Sequence, residues 1–562
     1  MNPHSTQKKR ELGAYYTPPE LSKVLADWGI TCASQTILEP SFGGCGFLTS
    51  CIERLEYLGN TKPLNNLYGV DIDQHAFDTL YTKFPFYKKK KNSFILADFI
   101  SVKPSDFNIK EFDVIIGNPP YVSMHNMTDL QRQSCSDILN NSSFSGKTIG
   151  RNASLWSFFL LHSLSFLKNG GRVAWVLPSS LLHADYARKL LDILCGHFKH
   201  IYIIKLAERF FVEEGAQETS VILTASDFNK CGEIKGDLTV SSVNNVYDLE
   251  RELNKKNSKN IKNIDEFKFE LISEDIKDAY LSNIKSPYSF RFGDLCLIKI
   301  GLVSGANSFF ILNKDTIDKY SIPSKVLYPI VARFSFLNGV RHNQAKHKKI
   351  FEKNDRSYLL SPNEEQLSSY ESVQKYISSL SSYEINKNKT FQKRPNWFEP
   401  NHGIDSIIPD AFLSYMIHRG PRLVINQSKI NCTNSVHKVF FRDKKMSHKN
   451  KIAISISLLS SYSQFSAEIV GRAYSSGVLK IEPTAGKSIN VLIDEKIIEP
   501  LYTLTNKIEE LLDKEEHKEI RKLVDNVLIA NGMMKESDCE KFSLGIDQLR
   551  SERYKGVKKY HE

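Results

Sequence analysis

The chain has 562 residues, enough for more than one domain, and its 41% hydrophobic and 25% charged residues are typical of a soluble globular protein. Its formal net charge of +11 favours a polyanionic partner. No apolar run reaches the roughly 18 residues needed to cross a bilayer, and the nine cysteines include no zinc-spaced cluster, so we expect a cytoplasmic protein with free thiols and neither a membrane segment nor a metal site.

The first two predicted strands carry features of a nucleotide-binding sheet. Residues 37–48 have the pattern of a short strand, a glycine turn and the start of a helix, and such glycines let a ligand approach the backbone closely. The second strand, residues 67–73, ends in acids at roughly the 20-residue distance where Rossmann-like folds place a ribose-binding carboxylate. Asp71 is therefore the predicted ribose ligand, and a solvated acid at a strand end is the alternative.

Two further predicted strands, residues 93–97 and 112–117, are also followed by candidate site residues. Asp98 and Phe99 follow the third strand, where they are suited to bonding an adenine amino group and covering the adenine ring. Ligands of doubly wound sheets bind beyond the carboxyl ends of the strands. We therefore expect one crevice to be lined by Glu39, Asp71, Asp98 and Asn118.

The tetrapeptide Asn118-Pro119-Pro120-Tyr121 predicts methyl transfer to a planar amino nitrogen. Its two prolines fix φ and bias the preceding residue away from helix, so the peptide is rigid and extended. The Asn118 carboxamide oxygen and the Pro119 carbonyl can both accept hydrogen bonds from one NH2 group, and Tyr121 offers a ring on which a base can stack. The alternative is an ordinary Asn-Pro turn, but the preceding strand ends favour catalysis.

These segments together resemble the gamma class of N6-adenine DNA methyltransferases, which use S-adenosyl-L-methionine. The resemblance implies a Rossmann-like α/β methyltransferase sheet, with residues 13–18 as the first cofactor segment and residues 39–47 as the methionine-binding loop. The family usually has glycine where Cys45 stands. The resemblance assigns catalysis to Asn118, Pro119, Pro120 and Tyr121, and cofactor binding to Thr17, Glu39, Pro40, Ser41, Phe42, Gly43, Asp71, Asp98, Phe99 and Pro120.

Beyond the tetrapeptide, a buried helix beginning at Leu155 and a strand at residues 172–178 are predicted to complete the sheet. Residues 208–223 resemble the family's late hairpin, which supplies an aromatic ring against a flipped adenine. Phe211 is the preferred residue for that role and Phe210 is its rival. Ordinary core packing is the alternative for both rings.

Composition predicts four segments. A polar stretch rich in lysine and asparagine at residues 254–260 indicates a connection between domains. We predict a catalytic domain at 1–250, a linker at 251–284, a mostly β target-recognition domain at 285–495 and a helical C-terminal segment at 496–562.

The predicted recognition domain contains several candidate DNA contacts. Residues 300–311 resemble the opening of a gamma-class target-recognition domain, in which this glycine loop faces DNA. Residues 393–398 mix cations with aromatic rings, as nucleic-acid surfaces do. A surface charge or a core tryptophan is the alternative for several of the candidates. The candidates are Ser304, Asn307, Arg394, Trp397, Arg422 and Lys480.

The sequence thus predicts a site-specific enzyme that methylates N6 of a flipped adenine in double-stranded DNA, in a restriction or phage-defence system. A separate restriction endonuclease or defence-system subunit is a candidate partner. Two other functions remain open: methylation of RNA or of a protein glutamine, because the same loop serves those reactions, and DNA binding by a methylase-like subunit without catalysis.

Overall fold

The computed structural model describes residues 17–90, 92–141, 143–144, 149–182, 184–206, 220–232, 234–255, 260–261, 268–269, 271–473 and 477–554. The chain forms two compact units, of which the first takes in the described residues before Leu271 together with Tyr554, and the second comprises Leu271–Ala473 and Gly477–Arg553. This division falls inside the segment for which composition predicted a linker. None of the helices in the described ranges has the length and apolar character needed to cross a membrane.

A nine-stranded sheet is the centre of the first unit. Its strands, β1 to β9, are Ile37–Glu39, Leu67–Asp71, Phe94–Leu96, Phe112–Gly117, Leu167–Pro178, Phe198–Leu206, Ser220–Phe228, Asp237–Val243 and Asn260–Ile261. They lie in the order β3-β2-β1-β4-β5-β7-β6-β8-β9. Strands β1 to β5 run parallel, and β7 is antiparallel to both of its neighbours. The predicted Rossmann-like class is confirmed.

Helices cover the sheet of the first unit. In chain order, α1 to α7 are Pro19–Gly29, Gly46–Tyr57, Gln74–Lys83, Asp129–Asn141, Leu155–Ser163, Asp185–His197 and Val246–Leu253. One buried apolar cluster joins α1, α2, α3 and α7 to the central strands. The strands β1 to β4 are therefore held rigidly on that side, and their carboxyl ends have fixed positions.

The second unit combines several small sheets with helices. Strands β10 to β23 are Ser289–Arg291, Cys296–Ile300, Ile311–Leu312, Leu327–Val331, Arg341–His342, Tyr358–Leu360, Ala411–Ser414, Met416–Ile417, Leu423–Asn426, Asn431–Cys432, Val436–Phe441, Arg472–Ala473, Leu479–Lys480 and Asn490–Leu492. The largest sheet has the order β11-β20-β16-β18-β14, and a four-stranded sheet has the order β12-β15-β13-β19.

The described part of the second unit contains fifteen α-helices, besides short 3-10 turns. Helices α8 to α15 are Glu274–Ile284, Phe292–Leu295, Asn307–Phe310, Lys314–Tyr320, Gln344–Glu352, Glu364–Ser369, Glu371–Ile377 and Ser382–Lys387. Helices α16 to α22 are His448–Ser457, Ser461–Val470, Pro483–Lys487, Glu495–Thr503, Thr505–Asp513, His517–Ala530 and Glu536–Tyr554. The last four confirm the predicted helical C-terminal segment.

Helices α9 to α18 lie within residues 285–495, where the sequence predicts no helix because it shows no helical periodicity. The longest of them are α16 and α17, and burial explains the missing periodicity of α17 and of residues 452–457 in α16. Every residue of α17 from Ser461 to Glu468 is buried, and a helix enclosed on all sides needs no apolar stripe. The periodicity that reveals a surface helix is therefore missing from a central one.

Close packing around Gly69 generates a stability prediction. A Cβ added there would lie 2.6 Å from Cε1 of Phe94 and 2.9 Å from Cδ1 of Phe42, and these two rings already pack edge to face. We expect Gly69→Ala to lower the free energy of unfolding by about 1–3 kcal/mol through overpacking. The measurement is the thermal unfolding midpoint of the full chain.

Gly196 is the matched control for Gly69→Ala. It lies in α6, and a Cβ added there meets no atom within 4 Å. Gly196→Ala should leave the midpoint unchanged or raise it, since alanine favours helix over glycine by about 1 kcal/mol. Equal midpoints for the two variants would contradict the packing described for β2.

Candidate functional site

The carboxyl ends of the first four strands lie side by side. Strand β1 pairs in parallel with β2 and β4, and β2 pairs in parallel with β3. Parallel pairing brings all four ends to one edge of the sheet. The four residues predicted to line one crevice, Glu39, Asp71, Asp98 and Asn118, lie at or just beyond these ends.

The glycine turn between β1 and α2 uses left-handed backbone at two positions. Gly43 has φ 44° and Cys45 has φ 63° and ψ 27°. A non-glycine residue in this conformation costs about 1 kcal/mol. The Cys45 side chain is fully buried, which offsets part of that cost. The turn therefore keeps a conformation that favours glycine, although cysteine occupies the position.

Asp71 ties the end of β2 to the glycine turn. Its Oδ2 accepts a hydrogen bond of 2.8 Å from the Gly43 N–H, and its Oδ1 accepts one of 2.8 Å from the Asp73 N–H. Burial raises the pKa of Asp71 to about 6. The carboxylate thus fixes the turn and carries a negative charge at neutral pH.

Glu39 is a buried acid whose charge is not compensated. Its side chain is 2% exposed, and in the described part of the chain its Oε2 has no hydrogen-bond partner. Burial, and then the charge of Asp71, hold the pKa of Glu39 well above its usual range. Buried polar groups in proteins are nearly always hydrogen-bonded, so this oxygen is suited to a cationic or hydrogen-donating ligand.

The loop after β4 is bonded to two other predicted site segments. The Asn118 carbonyl accepts a 3.1 Å hydrogen bond from Ser41 Oγ in the glycine turn. The Asn118 side-chain Nδ2 donates a 3.3 Å hydrogen bond to Thr17 Oγ1. Pro119 is buried, whereas Pro120 and Tyr121 are partly exposed. Three segments that are distant in sequence therefore form one continuous structure.

Asp98 and Phe99 differ in how well they suit their predicted roles. Asp98 is partly exposed, and its Oδ2 accepts a 2.9 Å hydrogen bond from Gln131 Nε2. The Phe99 ring is 1% exposed and packs on Phe159 and Phe166. This position in the core does not support the predicted contact of the Phe99 ring with an adenine.

Ile72 is a site candidate that the sequence analysis missed. This large apolar side chain directly follows Asp71 and is 56% exposed at the carboxyl edge of the sheet. An exposed apolar surface beside a buried acid is suited to the face of a planar ring. The sequence does contain an indication of this site, because the isoleucine stands between two acids at the end of β2.

Phe210 and Phe211, the candidates for an aromatic contact, lie outside the described residues. The two strands that flank them form the expected antiparallel pair, with Ile204 opposite Ile222 in β6 and β7.

In the second unit, three candidate DNA contacts lie together. Ser304 Oγ donates a 2.5 Å hydrogen bond to Asn307 Oδ1, and Asn307 Nδ2 donates one of 3.1 Å to Asn434 Oδ1. The Arg394 guanidinium donates to the carbonyls of Ser304, at 2.8 Å, and of Val303. Arg394 therefore holds the glycine loop in place.

Each of the other three candidate DNA contacts has partners within the second unit, and Trp397 lies beside the first three, because its ring packs on Phe309 and Phe310 of α10. Trp397 packs against Phe391 in an apolar cluster. Arg422 donates to two backbone carbonyls, and Lys480 forms a 2.8 Å ion pair with Glu482. These contacts give all three side chains a structural role within the second unit.

Comparison with known families and relatives points to one class of protein. The family profile described as N-6 DNA Methylase matches residues 1–285, just over half of the chain. A profile described as the C-terminal domain of the type II methyltransferase M.Eco57I matches residues 268–529. The type II methyltransferase M.AccI of Acinetobacter calcoaceticus is 24% identical over 545 residues, covering 93% of this chain and 94% of that protein. M.HindII of Haemophilus influenzae is 26% identical over 324 residues, covering 54% and 56%.

Among solved structures, the type IIL restriction-modification enzyme MmeI, determined in complex with DNA, is similar in fold. Its TM-score is 0.57 at 12% sequence identity, and the match covers 98% of this chain and 80% of that one. At this identity the likeness concerns the fold alone.

The buried Glu39 generates a prediction about stability and pH. The pKa of Glu39 in the folded protein lies well above its ordinary value of 4.5. The unfolded chain therefore loses this proton more readily, and wild-type stability should fall as the pH rises above 4.5. Glu39→Gln removes the buried charge but keeps an oxygen that can accept a hydrogen bond. We expect the ligand-free variant to be more stable than wild type by about 1 kcal/mol or more at pH 8, with a smaller difference at pH 5.

Unfolding midpoints at the two pH values measure this effect. The matched control is Glu53→Gln, which changes an exposed residue of α2 and should shift neither midpoint. A Glu39→Gln variant that is less stable than wild type at pH 8 would show that the carboxylate has a structural partner.

Proposed function

Because the chain belongs to the N-6 DNA methylase family, as its motifs predicted, we propose that it transfers a methyl group from S-adenosyl-L-methionine to N6 of an adenine in double-stranded DNA. One observation carries the proposal. The tetrapeptide Asn118-Pro119-Pro120-Tyr121 directly follows β4, at the same sheet edge as Glu39 and Asp71.

The residues at the sheet edge fit the proposed cofactor. S-adenosyl-L-methionine, when bound, supplies an electrophilic methyl group on a sulfonium. The buried Glu39 oxygen suits the ammonium group of the methionine moiety. Asp71 is placed at a strand end to accept from ribose hydroxyls, and the exposed Ile72 side chain suits the adenine ring. The remaining polar candidates for cofactor contact are Thr17, Ser41 and Asp98.

Asn118 has the central role in the proposed chemistry. The hydrogen bond that its Nδ2 donates to Thr17 fixes the orientation of the carboxamide. With Nδ2 used in this way, Oδ1 is the atom that accepts from the adenine N6 amino group, together with the Pro119 carbonyl. These bonds draw the nitrogen lone pair out of ring conjugation and raise its nucleophilicity. The N6 nitrogen would form its bond to the methyl carbon as the S–CH3 bond breaks to leave a thioether, and one N6 proton would then be lost to solvent. Accurate positioning of the two reactants contributes several kcal/mol, so no strongly shifted general base is invoked.

The target adenine must leave the duplex to reach this edge, as it does in other enzymes that act on a base. We assign the stacking surface to Tyr121, with Phe211 or Phe210 as a second ring. The glycine loop around Ser304 and Asn307, held by Arg394, is the proposed DNA-facing segment of the second unit.

Double-stranded DNA is favoured over RNA or a protein glutamine for two reasons. The chain carries a net charge of +11, and its similarity to type II methyltransferase M.AccI extends over 93% of its length. We therefore also propose a restriction or phage-defence role, with a separate endonuclease or defence-system subunit as partner.

The role of Asn118 generates a prediction about activity. We expect Asn118→Ala to lower methylation by at least about 100-fold, the order of loss when a group that acts on the transition state is removed, while cofactor affinity changes little. The measurement is sequencing of genomic DNA from a methylation-free host by a method that detects N6-methyladenine.

Asn126→Ala is the control for Asn118→Ala, because Asn126 is an exposed asparagine just beyond the same loop. It should leave a wild-type methylation pattern. Methylation retained by Asn118→Ala would exclude the proposed role. No methylation by wild type, with cofactor binding intact, would instead favour an RNA or protein substrate or a missing partner.

The role of Glu39 generates a prediction about cofactor affinity. We expect Glu39→Gln to weaken binding of S-adenosyl-L-methionine by about ten-fold or more, because a charge-assisted hydrogen bond contributes about 1.5–3 kcal/mol. Titration calorimetry measures the affinity, and Glu53→Gln again serves as control. Unchanged affinity in Glu39→Gln would place the ammonium group elsewhere.

A further inference from the structure

A cavity of about 540 Å³ in the second unit is lined by four arginines: Arg419, Arg422, Arg521 and Arg550. It lies where the chain between β17 and β18 meets helices α20, α21 and α22. Its volume is in the range of small-molecule sites in proteins, about 300–1,000 Å³. The methyl-transfer proposal gives this cavity no role.

Three of the four arginines have identified partners. Arg422 donates to two backbone carbonyls, and Arg419 donates a 3.2 Å hydrogen bond to the carbonyl of Glu515. Arg550 donates through Nε to Glu468 at 2.9 Å. Its Nη2 is buried and has no hydrogen-bond partner in the described part of the chain. Arg550 is therefore only partly satisfied by the protein.

Arg521 is the exceptional member of the group. Its side chain is 7% exposed, and within the described residues it makes neither a hydrogen bond nor an ion pair. Asp525 and Asp547 act on it electrostatically without reaching ion-pair distance. None of the Arg521 nitrogens is among the buried polar atoms of the described chain that lack a partner, so the guanidinium opens to the cavity, where it is suited to an anion.

The lining of the cavity carries four arginines and two acids. The two acids that line the cavity, Asp513 and Glu515, are exposed at its rim, and the Glu515 side chain is 77% exposed. Burial, followed by the charges of Arg419 and Arg422, lowers the pKa of His517 to about 4. His517 is therefore neutral at pH 7 and can take part in hydrogen bonding without adding charge.

We propose that this cavity binds a phosphate group, contacted by the Arg521 guanidinium. Arginine presents a planar fork of donors that matches phosphate oxygens, and charge-assisted bonds of this kind are strong. Two sources share this chemistry, a free phosphate compound of nucleotide size and a phosphate of the DNA backbone. The site is additional to the proposed methyl transfer.

The first test is binding of inorganic phosphate and of uridine 5′-monophosphate to the full chain by titration calorimetry. The uridine nucleotide avoids competition from an adenine pocket. We expect Arg521→Met to weaken binding about ten-fold or more, the loss expected when one charge-assisted bond is removed. The control Arg291→Met changes an exposed arginine of β10, outside the cavity, and should bind as wild type does.

Thermal unfolding in phosphate-free buffer separates a binding role of Arg521 from a structural one. If Arg521 lacks a protein partner, ligand-free Arg521→Met should unfold at the wild-type midpoint or above it, and added phosphate should raise the midpoint of wild type only. Arg521→Lys, which keeps the charge without the fork, should show an intermediate response to phosphate. A lower midpoint for both ligand-free variants would overturn the proposal.

Binding of duplex DNA, followed by fluorescence anisotropy, distinguishes the two sources. Loss of uridine monophosphate binding in Arg521→Met with unchanged DNA affinity assigns the site to a free phosphate compound. Loss of DNA affinity with no detectable nucleotide binding in wild type assigns it to the DNA backbone. If Arg521→Met matches wild type with all three probes, the proposal is wrong.

Discussion

The hydrogen bond from the Gly43 N–H to the Asp71 carboxylate is the interaction on which the rest of the site depends. It joins the turn after β1 to the end of β2, so it fixes the position of the turn backbone relative to the Asp71 carboxylate. The turn in turn positions Ser41, whose hydroxyl bonds the Asn118 carbonyl. A change at the end of β2 would therefore be transmitted through the turn to the loop after β4.

This arrangement places two acids in a confined space. Burial raises the pKa of Asp71 to about 6. Burial, and then the charge of Asp71, hold the pKa of Glu39 well above its usual range. Both shifts mean that ionisation opposes folding as the pH rises from acid to neutral. Such a cost is expected where a site is built to hold a ligand rather than to maximise stability. The same residues that destabilise the ligand-free protein would contribute binding energy to a cation.

The sequence was sufficient to place the four strand ends, because each apolar run is short and is followed by a distinctive polar residue. The sequence could not predict the orientation of the Phe99 ring, because an aromatic residue after a strand can face either a pocket or the core. In the structure the ring packs against Phe159 and Phe166 in the core. Helix α17 shows no helical period in the sequence because it is buried on all sides from Ser461 to Glu468. The four arginines of the cavity lie between positions 419 and 550. No local sequence pattern predicts that residues so far apart in the chain lie close together in the fold.

Glu39 and Arg521 show, in separate units, the same physical signature with opposite sign. The side chain of each is less than a tenth exposed, and each keeps hydrogen-bonding capacity that the described part of the chain does not use. Glu39 Oε2 is shut off from solvent, whereas the Arg521 guanidinium opens to the cavity. A purely structural charge behaves differently: Glu468 is buried too, but Arg550 and Arg553 pair with it. Replacing an unneeded buried charge by an apolar residue is often neutral or stabilising. A group that is both buried and unsatisfied is therefore better explained by a ligand of opposite charge than by folding, and that reasoning applies equally to the acid of the first unit and to the arginine of the second.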